Sequence, residues 1–176
     1  MRFSAKFVEE GPTKRKKTMK EIHIDIRIRS AAYEELDEEQ RLLIDAAKEA
    51  TARSYAPYSR FAVGAAALLA NGVTVTGTNQ ENAAYPSGIC AERTTLFYAN
   101  SQYPDQPVRM LAIAARNESG FVDIPVPPCG ACRQVLLETE QRFRHPIRIL
   151  LYGRKDILIL ESVKDLLPLS FGAEFL

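Results

Sequence analysis

Histidine and cysteine are both scarce in this chain of 176 residues, which has 2 of the first and 3 of the second. An odd cysteine count argues against a disulfide framework in an intracellular chain. Excess charge of either sign is missing as well. With 23 Lys+Arg against 22 Asp+Glu the formal charge is +1, so nothing in the overall balance favours a nucleic acid or another polyanion as partner. No apolar run approaches the roughly 18–20 residues of a membrane helix. The N-terminal stretch lacks the apolar core of a secretory signal, and a cytoplasmic protein is the expectation. There is no internal repeat.

What is there is ordinary in bulk. A composition 46% hydrophobic and 26% charged fits one soluble globular domain. The length suffices to bury a continuous core, so a metal is not needed merely to hold the fold. Residues 1–18 are polar and carry the run Lys14-Arg15-Lys16-Lys17. They read as a flexible basic tail ahead of a single domain spanning 19–176, with Met19 a second candidate start.

Along that domain the hydrophobic period changes several times. Glu21 to Arg29 alternates strictly, with Ile22, Ile24, Ile26 and Ile28 on one face, and predicts a strand with one buried side. Asp37 and Gln40 form a capping-box pattern ahead of Leu42, Leu43, Ala46, Ala47 and Ala50 at helical spacing. Phe61–Ala70 and Val73–Thr78 read as strands joined by a hairpin at Asn71-Gly72. A helix is expected from near Cys90, a strand over Val108–Ala115, a second helix from Cys129 to about Glu140, a strand over Ile147–Tyr152, and a short helix over Val163–Leu167. This order predicts an α/β domain with three layers, α/β/α, around a mixed central sheet of about five strands.

All three cysteines fall in two short segments, Cys90-Ala91-Glu92-Arg93 and Pro128-Cys129-Gly130-Ala131-Cys132-Arg133. With this composition a P-C-x-x-C arises by chance in roughly one of several hundred chains. A thioredoxin-like redox pair would explain Cys129 and Cys132 but not Cys90. Both segments are placed to open helices, where free N–H groups and the positive dipole end stabilise thiolates. Cys129 and Cys132, three apart, lie on one side of a helical turn. Three thiolates suit zinc, and three protein ligands leave its fourth position open, as in catalytic sites.

A closed structural site would need His23 or His145 as fourth ligand, and their positions on a polar strand face and in a loop favour surface roles. Glu92, two residues from Cys90, is placed as a general base rather than a ligand. Its plainer role is charge compensation at a helix N-terminus. Arg93 and Arg133 are candidates to donate to the sulfurs and offset the charge of three thiolates, or else surface arginines.

At these residues the sequence resembles the cytidine deaminase family, in particular its small homotetrameric type. The likeness runs from about Asp37 to Phe171 and includes Phe61-Ala62-Val63-Gly64-Ala65-Ala66, Gly77-Thr78-Asn79-Gln80-Glu81-Asn82-Ala83-Ala84-Tyr85 and both cysteine segments. Polynucleotide-acting and dimeric relatives carry His where Cys90 stands, which points to free nucleosides. Many relatives carry Ser where Pro127 stands, which removes a hydroxyl and an N–H beside the ligands.

The resemblance implies one Zn2+ per subunit and hydrolysis of cytidine and deoxycytidine by a zinc-activated water, with Glu92 as proton shuttle. It implies substrate contacts by Phe61, Asn79, Glu81, Ala91, Tyr85 and Phe171. Phe61 would stack on the pyrimidine, Asn79 and Glu81 would bind ribose hydroxyls, and Tyr85 and Phe171 would reach a neighbouring subunit's pocket. Neither nucleic acid nor membrane is an expected partner. The rivals are a deaminase of another cytosine nucleoside, such as a nucleoside antibiotic, or of a nucleotide, and a zinc-stabilised module without chemistry. Glu81 speaks against a nucleotide, since it would repel a nearby phosphate.

Overall fold

The computed structural model describes residues 19–176, and the expected basic tail at 1–18 lies outside them. Ten elements build the domain: β1 (Arg29–Ala31), α1 (Glu38–Ala50), β2 (Ala62–Leu69), β3 (Thr74–Thr78), α2 (Ala91–Gln102), β4 (Val108–Asn117), β5 (Gly120–Phe121), α3 (Gly130–Phe143), β6 (Arg148–Tyr152) and β7 (Ile157–Leu160). The strands form one seven-stranded sheet in the order β1-β7-β6-β4-β2-β3, with β5 on the end of β4. β4 and β6 are parallel, joined by the crossover through α3, and every other pairing is antiparallel. The sheet is therefore mixed.

Helices cover both faces. α1 starts on the expected capping box, with Asp37 accepting from the Gln40 N–H and the Gln40 side chain accepting from the Asp37 N–H. Its Leu43, Ile44 and Ala47 pack on Ala66, Leu68, Met110 and Ala112. The opposite face carries α2 and α3, whose Leu96, Leu136 and Leu137 meet Ala65, Leu111, Ile113 and Ile149. β2 and β4 are buried on both sides, which is why they read as nearly unbroken apolar runs. The three-layer α/β/α expectation holds, with seven strands in place of about five. β5 and β7 are the additions, two and four residues long.

Small residues in β2 and β3 set how closely the helices approach. A Cβ at Gly64 would lie 2.1 Å from the Ala47 carbonyl oxygen of α1, and one at Gly77 would lie 2.7 Å from the Thr95 nitrogen of α2. Gly64→Ala is expected to overpack the α1 contact at a cost of about 1–3 kcal/mol. Thermal unfolding should register roughly 2–4 °C of lowered Tm per kcal/mol. An unchanged Tm would show that α1 gives way freely.

One expected strand is corrected. The ladder with β7 takes in only Arg29, Ser30 and Ala31, opposite Ile159, Leu158 and Ile157. Residues 19–28 carry no regular structure, and Ile22, Ile24, Ile26 and Ile28 are exposed. The reason is the length of the partner. β7 ends at Leu160, and the chain then turns through Ser162 into a 3-10 turn at Val163–Asp165, so among the described residues no strand lies opposite the earlier ones.

Candidate active site

α2 and α3 lie side by side, and a cysteine caps the start of each. Cys90 (φ −78°, ψ 155°) is the N-cap of α2 and Cys129 (φ −67°, ψ 168°) that of α3. Both residues sit at the positive end of a helix, where the dipole favours negative charge, and neither thiol makes a capping hydrogen bond of its own. Cys132 follows one turn into α3 and is fully buried.

Cys90 is delivered by a small bridge. Gln80 and Ile89 exchange backbone hydrogen bonds of 2.9 and 3.0 Å, closing the loop between β3 and α2. On its other side Gln80 bridges Tyr55, where the Tyr55 N–H donates to Asn79 and the Glu81 N–H donates to Tyr55.

The sulfurs of Cys90 and Cys129 are 3.8 Å apart and those of Cys129 and Cys132 are 3.5 Å apart. All three lie within 4.8 Å of one another. Zinc–sulfur bonds of about 2.3 Å in a tetrahedron give sulfur–sulfur edges of about 3.8 Å, so the three thiols fit three corners around zinc. Their electrostatics agree with that. Donation from Cys132, aided by Arg93 and Cys129 against the effect of burial, brings the Cys90 thiol down to about 5. The Cys132 thiol is pushed up, because it donates to Cys90, is buried and lies near Glu92. Without a cation the cluster favours one thiolate bonded by its neighbours, and a divalent metal supplies the charge that lets all three ionise.

His145 cannot close the site. It follows α3, whose 14 residues separate its ends by about 20 Å, and His145 lines a different cavity with Glu140 and Ser162. Among the described residues the cysteines form a three-ligand cluster, so a fourth position stays free for water or substrate.

Glu92, in the first turn of α2, is only 5% exposed. Burial above all, and then the negative charge of Cys90, raises its proton affinity above that of an ordinary carboxylate. Arg93 reaches back to the Cys90 sulfur at 3.8 Å. Arg133 does something else. It donates to the carbonyl oxygens of Pro128 and Leu166, both at 2.9 Å, so it braces the start of α3 against the segment after β7 and is not directed at sulfur.

Beside Cys90 opens a cavity of about 540 Å³, lined also by Asn79, Glu81, Tyr85 and Arg93; Cys129, Cys132 and Glu92 are not among its lining residues. That volume is within the range of small-ligand sites. Phe61 is half-buried, Ala91 is fully buried, and Phe171 is exposed and stacked on Phe175; none of the three lines the cavity in the isolated chain. The Phe171 carbonyl accepts from the Gln134 side chain of α3 at 2.9 Å, which fixes the C-terminal segment near this helix.

The sequence reading missed Ser54, Tyr58 and Ser59. Asn79 Oδ1 accepts from the Val63 N–H at 2.8 Å and from the Ser54 hydroxyl, while its Nδ2 donates to the Phe61 carbonyl at 2.9 Å. Both acceptor lone pairs are thereby used, and one amide hydrogen remains. Glu81 accepts from the Tyr58 N–H at 2.9 Å, the Ser59 N–H at 3.2 Å and the Ser59 hydroxyl. These donations, the hydroxyl first, hold its carboxyl below the usual range, and it retains lone pairs toward the cavity. Serines and a tyrosine just before β2 carry no distinctive spacing, so only the fold reveals them.

A sulfur-rich, open metal position beside a buried carboxyl defines a hydrolytic metal site in an α/β/α domain. A family model for the cytidine and deoxycytidylate deaminase zinc-binding region matches residues 37–144, and the chain belongs to that family. The cytidine deaminase of Halalkalibacterium halodurans is 39% identical over 136 residues, covering 77% of this chain and 96% of that protein. That of Mycobacterium tuberculosis is 41% identical over 141 residues, covering 78% and 93%. Among solved structures, cytidine deaminase from Burkholderia pseudomallei superposes with a TM-score of 0.64 at 38% identity, over 74% of this chain and 97% of that one. Zinc is accordingly the metal of the three cysteines.

Proposed function

We propose that this protein hydrolyses cytidine and deoxycytidine to uridine and deoxyuridine, releasing ammonia. The observation that carries the reading is the open three-thiol site with Glu92 buried beside it at the head of a nucleoside-sized cavity. When bound, zinc supplies a Lewis acid that lowers the pKa of a water held against the base.

The chain's own groups do the rest. Cys90, Cys129 and Cys132 hold the metal, and Arg93 offsets part of the thiolate charge through Cys90. Arg133 acts at one remove, by holding the end of α3 that bears two ligands. Glu92 takes a proton from the attacking water and delivers it to ring N3 as the C4–O bond forms. It then carries the second proton to the amino nitrogen, which leaves as ammonia. The family resemblance assigns contacts with the base to Ala91 and Phe61, neither of which lines the cavity in the isolated chain.

Glu81 accepts from the ribose 3′-OH and Asn79 gives its remaining amide hydrogen to a sugar oxygen. A site whose main sugar contact is the 3′-OH tolerates loss of the 2′-OH, so both nucleosides are substrates and serve pyrimidine salvage. Tyr85 is 78% and Phe171 is 60% exposed. Tyr85 open at the cavity and Phe171 open on the C-terminal segment support completion of each site by neighbouring subunits in a homotetramer, as do Phe97 and Tyr98 exposed on α2. No helix among the described residues is long and apolar enough to cross a membrane. Three thiols kept free for zinc suit the reducing cytoplasm.

Ammonia release across cytosine nucleosides, their 5′-nucleotides and free cytosine tests the substrate class. Cytidine and deoxycytidine are expected to react. The nucleotides should be at least roughly tenfold poorer in kcat/KM, because Glu81 meets the added charge. Nucleotides equal to nucleosides would move the substrate class, and no release from any nucleoside would overturn the reading.

A further inference from the structure

The unpaired segment before β1 carries a pattern that the deaminase reading does not use. It lies outside the family match, which begins at residue 37. Its residues, Glu21-Ile22-His23-Ile24-Asp25-Ile26-Arg27-Ile28, put polar groups on one face and isoleucines on the other. The shared polar face is visible in the structure, where His23 Nε2 lies 3.6 Å from Glu21 Oε2. The isoleucines are 86%, 51%, 44% and 52% exposed in chain order. Isoleucine favours strands, and an extended apolar stretch with an open edge is a template for another strand. Among the described residues of the subunit no such strand is present, because the β7 ladder stops at Arg29.

The charges name the partner. About Ile24 the polar face sets acid against base: Glu21 mirrors Arg27, and His23, whose ring N–H can donate, mirrors the acceptor Asp25. We propose that residues 21–27 form an antiparallel β-ladder with the same residues of a second copy of this chain, on a two-fold axis through Ile24. In that register Glu21 faces Arg27 of the other copy, and His23 faces Asp25. Ile22 faces Ile26 and Ile24 faces its own counterpart, so six isoleucines shield one another on one face. Directly opposed residues share a face and interact most strongly.

Neighbouring registers fail on the same residues. Centring on Asp25 sets two carboxylates against each other and His23 against Arg27. Centring on Ile26 pairs Asp25 with Arg27, but it sets Ile22 against Ser30 and His23 against Arg29, both residues already in the β7 ladder, Arg29 being paired with Glu161 as well. Shifts that place a charge opposite an isoleucine lose both faces. The contact is isologous, as two-fold pairing requires.

Cysteine cross-linking of the zinc-loaded full chain tests the register. Opposed residues on an antiparallel ladder have Cα atoms about 4.5–5.5 Å apart, inside the range a disulfide spans. Under mild oxidation Ile24→Cys should yield at least about tenfold more disulfide-linked dimer than Ile22→Cys. A mixture of Ile22→Cys and Ile26→Cys chains should cross-link to each other. Wild-type protein, whose cysteines sit at the zinc site, sets the background. Arg27→Glu added to Ile24→Cys should lower the dimer yield, and Glu21→Arg added to both should restore it. Equal yields at 22, 24 and 26, no dimer at 24, or a yield at 24 indifferent to the charge changes would overturn the proposal.

Discussion

Glu92→Gln is expected to keep zinc and fold while cytidine turnover falls by about 10²–10⁴-fold or more. The side chain is buried in the first turn of α2, two residues from Cys90 and within interaction range of Cys132. The amide has nearly the same shape, so the packing around Leu96 and Thr95 is preserved. What it lacks is the ability to make the proton transfers proposed for Glu92, from water to N3 and then to the amino group. Neutralising a buried carboxyl also removes a charge that burial opposes, so stability should be equal to wild type or slightly higher. Zinc content measured alongside kcat separates this outcome from collapse of the site. Full activity in the variant would remove Glu92 from the mechanism.

Cys132→Ala should fail for a different reason. Cys132 is the fully buried ligand, and its sulfur closes the cluster with that of Cys129, 3.5 Å away. Losing it leaves two thiolates, one of them on the exposed Cys129. Changes to groups that merely orient metal ligands cost roughly 10–100-fold in metal affinity, and loss of a ligand should cost more. Chelator competition should therefore strip the variant at concentrations that leave wild type loaded, and turnover should disappear with the metal. The fold should persist, because the core on either face of the sheet does not depend on this residue. A variant that held zinc as tightly as wild type would show that another side chain completes the coordination.

The sequence made the local features legible wherever the signal was itself local. The Asp37–Gln40 box opens α1, and Asn71-Gly72 makes the β2–β3 turn with Gly72 at φ +84°. Cys90 and Cys129 cap helices as their neighbours in sequence suggested. β5 and β7 escaped because two to four residues are too short to display a strand period. Other misses are matters of distance along the chain. The donors that occupy Asn79 and Glu81 come from 16 to 25 residues away, and Arg133 is claimed by a carbonyl 33 residues on. Alternation from Glu21 to Arg29 predicted a strand, but periodicity says nothing about whether a partner exists within the same chain.

The central claim is that three cysteines hold a zinc used for deamination. Cytidine turnover by the purified full chain, with zinc measured on the same sample, tests it most directly. The account predicts about one zinc per chain, one ammonia and one uridine per cytidine consumed, loss of turnover on chelation and its return with added zinc. A zinc-loaded, folded chain that releases no ammonia from cytidine or deoxycytidine would contradict it.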